Sequence, residues 1–380
     1  MVDARARPPA PGVTTAVLGD RRLVFEPVGS DVHVLNPTAS LLWDGCLGGL
    51  TDHELAGILA SLEGAPADVD EHVAGFVARL TTLGLLGALD GEARTAGARV
   101  PPRTWSEVPA GAAEVLSVAV LDELVVVSAD EDVPVDDVRS SFTTTSARDQ
   151  ATVHRLHVRQ AGDGHFEIVG FGAPRRTAEG RVADALAQLL NSAAASNESM
   201  LALHAAGMRA PSGEVVVFPA ASGAGKSTMA GRLVRAGWAY LGDEAIGVLV
   251  GPDGRAPMAV AYPKPLSLDA VSCEVLGLEH GQARLVAVDR ELGGELLFGE
   301  VGTVDAVVLP TFEPAAGVAQ AVMLDVDSAA VEVARASFNL ARTGQSGLDA
   351  VAALATQVPV WRLHHDGVGV EDALTDLLGR

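Results

Sequence analysis

A chain of 380 residues and 38.9 kDa has room for two or three modules, each able to bury a sizeable core. Its 49 Asp and Glu against 27 Lys and Arg leave a formal net charge of -22, which excludes non-specific nucleic-acid binding, because that rests on basic side chains neutralising phosphates. With 48% hydrophobic residues, a mean hydropathy of +0.26 and no apolar run of the ~18 residues that a membrane span needs, the composition is that of a globular chain with no membrane partner.

The opening "MVDARARPPAPGVTT" carries arginines without an apolar stretch behind them, so no secretory signal is expected and a cytoplasmic location is. Cys46 and Cys273 lie far apart and outside any Cys-x-x-Cys spacing, which points to two small core residues. From about Thr14 to Leu89 two alternating runs, "RRLVFEP" and "DVHVLN", flank the turn "VGSD" and predict a hairpin. Helices are predicted at Pro37 to Cys46, at "TDHELAGILASL", where Thr51 and Glu54 have capping-box spacing, and through "DVDEHVAGFVARLTTLGLL".

The pair Leu35-Asn36, Trp43, the helix start Thr51 to Leu55 and the "LGLL" of Leu83 to Leu86 resemble the PqqD family of small winged helix-turn-helix modules. The resemblance implies a domain over residues 1–89 that recognises the leader of a ribosomally made precursor peptide, the leader adding as a strand to a sheet edge beside the last helix. Contributors on this chain are then Val24, Phe25 and Val34 on the strands and Val73, Phe76, Val77 and Leu80 on the helix, most of the helix positions also having core spacing. A DNA-binding winged helix is the competing reading. Five Arg and no Lys against twelve Asp and Glu in residues 1–90 oppose it.

Residues 90–113, rich in Gly, Pro, Ala and charge, read as a linker. A small middle β-rich domain over 114–199 follows, with strands at "VLSVAVL", "LVVVS", "TVHRLHVRQ" and "HFEIVG" and a helix at "AEGRVADALAQLLNSAAAS". It carries no nameable chemistry.

From about Met200 the pattern is strand, glycine-rich loop, helix, then further strands. "EVVVF" supplies a buried strand, "PAASGAGKST" the loop and "STMAGRLVRAG" a helix that stops at Gly237, the context in which a phosphate loop works. Small residues let backbone N-H groups converge on phosphate oxygens while the helix points its positive end at them. Ser222, Gly223, Ala224, Gly225, Lys226, Ser227 and Thr228 are the expected nucleotide contacts, Lys226 bridging the β- and γ-phosphates and Ser227 ligating magnesium. Ala220 stands where the pattern has its first glycine, which a residue with negative φ tolerates. Lysine is otherwise nearly absent: Lys226 and Lys264 are the two in the chain.

His204 lies 22 residues before Lys226, and Asp243-Glu244 begin 17 residues after it, distances that let neighbouring strands return to the loop. These three motifs resemble the HPr kinase/phosphorylase family over roughly residues 200 to 379. The resemblance implies that Asp243 is the general base toward a serine hydroxyl, that Glu244 assists with metal or nucleotide, and that His204 lies near the reacting phosphate. It also implies oligomers. The second acidic residue is Glu where true HPr kinases have Asp, and their downstream glycine-rich signature is absent, so HPr itself is not the expected acceptor. "YPKPLSL", around Lys264, looks like the divergent branch found beside peptide-modifying enzymes, which are then further partners. Lys264 itself reads equally as a nucleotide contact or a surface residue. His364 and His365, adjacent on a strand, should face opposite ways and are not expected to bind metal together.

The expected fold is therefore mixed α/β and α+β in several domains: a PqqD-like winged helix-turn-helix, the middle β-rich domain and a P-loop α/β domain over 200–380. The expected activity is transfer of phosphate from ATP, with Mg2+, to a Ser or Thr of a precursor peptide. A kinase of a small molecule or carrier protein, and a non-catalytic nucleotide-gated peptide carrier, remain open alternatives.

Overall fold

The structure, a computed structural model, describes residues 8–87, 104–108, 113–145, 152–221, 224–251, 255–278, 283–314 and 317–379. The chain divides into two compact units: residues 1–101 with 326–335 and 340–356, and residues 102–325 with 336–339 and 357–380.

In the first unit, β1 (Thr14–Leu18), β2 (Arg21–Glu26) and β3 (Asp31–Leu35) form an antiparallel sheet with β2 central. Three helices follow, α1 (Pro37–Leu47), α2 (Asp52–Ala60) and α3 (Val69–Thr82). Their starts follow from side chains that satisfy the first free backbone N-H groups. Asn36 accepts from Ala39 with Pro37 behind it, Thr51 and Glu54 form a reciprocal capping box, and Asp68 accepts from Glu71. Trp43, fully buried, anchors the helices to the sheet, its Nε1 donating to Thr15 Oγ1 at 3.1 Å. Strand β1 was not among the expected elements. Arg21 pairs with Asp327, residues 326–335 pack on β3, and β2, central in the sheet, buries Leu23, Val24 and Phe25 in succession instead of alternating.

The second unit starts with a five-stranded sheet, β4 (Ala113–Val120), β5 (Glu123–Ala129), β6 (Thr152–Gly162), β7 (His165–Val169) and β8 (Arg175–Ala178), in sequence order. The short helix α4 (Asp136–Ser141) follows β5, and α5 (Val182–Ala194) follows β8. The helix expected from Ala178 begins later because Arg175–Ala178 pair with β7. Within the segment expected to be a linker, Trp105 bridges Phe171 and stacks on His154 with ring centroids 4.0 Å apart, while most of residues 90–113 lie outside the described residues.

The larger sheet is built from β9 (Leu201–Leu203), β10 (Ala205–Arg209), β11 (Val215–Pro219), β12 (Ala239–Gly242), β13 (Ile246–Leu249), β14 (Met258–Ala261), β17 (Gly299–Phe312), β18 (Gln320–Met323) and β19 (Val360–His365). Its seam is β17. The first part of that strand pairs antiparallel with β14, and the second lies parallel between β11 and β19. Helix α6 (Lys226–Arg235) packs against β10 and β12, and a two-stranded ribbon of β15 (Leu266–Leu268) and β16 (Arg284–Val286) meets it with α7 (Ala270–Val275) and α8 (Val288–Glu291). The remaining helices are α9 (Val326–Arg335), α10 (Leu340–Thr343), α11 (Gln345–Gln357) and α12 (Val370–Leu378), of which α12 closes this unit. The core under the five-stranded sheet and α5 runs on without a break into Met200, Ala202, Val260 and Tyr262 of the larger sheet, and the Tyr262 hydroxyl donates to Asn191 of α5 at 3.0 Å.

Candidate functional site

Strand β11 ends at Pro219, and α6 begins at Lys226 with Gly225 before it in the left-handed region at φ 81°. A residue with Cβ would be strained at Gly225. Ala220 does not take a positive φ, so its Cβ is tolerated at the loop entrance. Ser222 and Gly223 lie outside the described residues.

Lys226 is buried and turned onto its own loop. Its Nζ donates to Ala220 O at 2.7 Å and Ala221 O at 3.1 Å, and lies 3.2 Å from His204 Nε2. Burial lowers its pKa, against the pull of Glu244 and Asp243. His204 sits at the junction of β9 and β10, its N-H donating to Ala336 O at 2.7 Å and its ring 4.9 Å from that of Phe338. Burial, and then the Lys226 ammonium, push the imidazole down to about 4, so it is neutral at pH 7 and its Nε2 can accept from Lys226.

Asp243 follows β12 and is 2% exposed. Ser227 Oγ donates to its Oδ2 at 2.5 Å, and the Tyr240 hydroxyl lies 3.0 Å from Oδ1. Lys264 Nζ sits 2.8 Å from the same Oδ1, with both side chains 1% exposed. Gly242 makes this turn possible: at φ 157°, a Cβ there would lie 2.6 Å from Tyr262 O. Glu244, by contrast, is half-buried, and its Oε1 is 3.8 Å from His204 Nε2. Burial raises its pKa against the opposing charges of Lys264 and Lys226, so it takes up a proton more readily than an ordinary glutamate.

Both oxygens of Asp243 accept hydrogen bonds in a closed environment, whereas Glu244 is the more exposed carboxylate. The oxygens of Ser227, Asp243 and Glu244 are donors suited to a hard divalent cation. Among the described residues no three His, Cys, Asp or Glu side chains gather as a cage, so a cation here would keep water or phosphate oxygens as further ligands, as magnesium does. Thr228 Oγ1 lies 2.7 Å from Ser272 Oγ and faces away from this cluster's carboxylates toward α7.

The structure thus brings together His204, Lys226, Ser227, Asp243 and Glu244. It adds Lys264 and Tyr240, together with the segment 336–339, whose Asn339 is buried and accepts from Ala202 N at 2.9 Å. The sequence signals for Lys264 were the rarity of lysine and the "YPKPLSL" stretch around it. His364 turns outward to Glu313 at 2.8 Å while His365 turns inward, so the pair shares no ligand.

In the first unit, the residues expected to touch a peptide divide. Val24, Val73, Val77 and Leu80 are buried in one core between the sheet and its helices, and Phe25 is buried on the opposite face of β2, so these side chains are taken up by packing. Val34 and Phe76 are half-buried and remain available.

Residues 22–86 match the PqqD family, coenzyme PQQ synthesis protein D, and this segment forms a PqqD-like domain of the kind that recognises ribosomally made precursor peptides. No curated protein matches the chain.

Proposed function

We propose that the protein is an ATP- and magnesium-dependent phosphotransferase that phosphorylates a Ser or Thr hydroxyl of a ribosomally synthesised precursor peptide. PqqD-like domains bind precursor peptides during their maturation, and the same task is assigned to residues 22–86, with the leader held so that the core peptide is presented at high local concentration. The observation that carries the phosphotransfer half is the gathering of Lys226, Ser227, Asp243 and Glu244 around a strand-loop-helix turn.

Lys226 exchanges the carbonyls of Ala220 and Ala221 for phosphate oxygens. Asp243, fixed by Lys264 and Tyr240, would hold a magnesium ion together with Ser227, and the ion would supply positive charge to the transferring group. Glu244 accepts the proton of the attacking hydroxyl as its oxygen bonds to the γ-phosphorus and the bond to the β,γ-bridging oxygen breaks, leaving phosphopeptide and ADP. Neutral His204 positions Lys226 and Glu244. This reverses the roles expected for the two acids from sequence.

Incubation with Mg-ATP and the precursor peptide should add the mass of one phosphate to the peptide. Lys226→Met and Glu244→Gln should abolish transfer, the latter with ATP affinity kept. Peptide and nucleotide binding without mass change, with Glu244→Gln indistinguishable from the parent, would instead favour a non-catalytic peptide carrier.

A further inference from the structure

Beside the loop helix lies a cavity of about 590 Å³, within the range that takes small organic ligands. It is lined by Gly225 and Thr228 at the start of α6, by α7, by the end of β17 and by the turn after β19, and none of its lining residues belongs to the Asp243 cluster. Its walls are mainly apolar, from residues such as Val271, Val275, Phe312 and Val368.

One polar group in this wall stands out. His365 is 4% exposed, and neither Nδ1 nor Nε2 has a hydrogen-bond partner. Leaving a buried polar group unpaired costs stability, so a partner from the cavity would remove a penalty already present. Burial keeps this imidazole below its ordinary pKa, hence neutral, with one nitrogen to donate and one to accept.

The charges at the rim narrow the ligand further. Asp269, Asp366 and Glu371 line the cavity, whereas Arg232, its one cation among the lining residues, is taken by Gly367 O and Glu371. Such a pocket disfavours phosphate and accepts hydrogen bonds from a neutral ligand rich in hydroxyl or amino donors. A nucleoside has that chemistry, and the phosphates it carries would reach the loop at Gly225.

We propose that this cavity takes the nucleoside of the phosphate donor, with the His365 imidazole hydrogen-bonding the edge of the base. The assignment rests on reading residues 220–228 as a phosphate loop. It makes the protein a reader of the whole nucleotide and not of its polyphosphate alone.

Isothermal titration with Mg-ATP and with magnesium tripolyphosphate separates the two ideas. The parent protein should bind ATP at least tenfold more tightly than tripolyphosphate. His365→Phe, which keeps the ring volume, and Val271→Trp, which fills the cavity from an exposed position, should each erase most of that difference while leaving tripolyphosphate affinity unchanged. His365→Phe should also melt no lower than the parent, because it replaces an unpaired polar group with an apolar one. Equal affinity of the parent for both ligands overturns the nucleoside pocket and leaves the phosphate loop standing, as does an unaltered ATP preference in both variants. Absence of binding by either ligand overturns the phosphate loop and the pocket with it.

Discussion

Both lysines of the chain meet at Asp243's side of one site, and arginine suits neither position. Lys226 must fit a compact ammonium among closely spaced oxygens, where a planar guanidinium is too broad. Lys264 holds Asp243 in a space that leaves both side chains 1% exposed. Lys264→Met should therefore lower stability by about 3–5 kcal/mol, because it strands a buried carboxylate, and adding Asp243→Asn should restore a large part of it. Urea unfolding of the two single variants and the double variant measures this; strictly additive losses would show that the pair is not coupled. His204 makes a second, pH-dependent claim. Its pKa is held at about 4 in the fold against 6.5 without it, so the unfolded chain binds the extra proton between those values. The stabilising contribution is complete above pH 6.5 and is lost as pH falls to about 4. In His204→Gln the decline of melting temperature over that window should be shallower than in the parent.

At the scale of elements, most of the candidate site was legible because strand-loop-helix context and fixed spacings are local signals. His204, Lys226 and Asp243-Glu244 could be placed from their distances along the chain. The cavity could not: its walls come from α7, Phe312 and residues 365–371, which have no shared local pattern. The contrast between the buried Asp243 and the more exposed Glu244 was hidden for the same reason, since it depends on Lys264, 21 residues beyond Asp243, returning to the end of β12. In the first unit Pro37, the Thr51–Glu54 box and the apolar spacing of the third helix announced all three helices, but the packing of α9 on β3 and the Arg21–Asp327 pair join segments about 300 residues apart in sequence. Gly242 ties element geometry to chemistry. Gly242→Ala should cost about 1–3 kcal/mol through overpacking against Tyr262 O and should sharply reduce phosphotransfer, because Asp243 and Glu244 hang from that residue. Calorimetry and a turnover assay check the two effects separately.

At the scale of the whole molecule, the chain passes between the two units five times, with 326–335 and 340–356 completing the unit that residues 1–101 begin. Deleting residues 1–90 to test leader capture would strip α9 and α11 of their partner surface, so the truncated chain should aggregate or melt well below the parent in light scattering and calorimetry. Competition is the cleaner measurement. Free leader peptide should raise the apparent KM for full-length precursor and leave turnover of a leaderless core peptide unchanged; equal inhibition of both substrates would count against capture by residues 22–86.

No described helix is long and apolar enough to cross a membrane, yet the first unit still faces an unusual passage during synthesis. Its three-stranded sheet leaves the ribosome well before the helix that packs on β3, which begins only after residue 325. Closing contacts over such a separation is slow relative to local folding. Until residues 326–335 have been made, β3 lacks that packing partner, and a nascent chain would present a surface different from the one the finished protein presents.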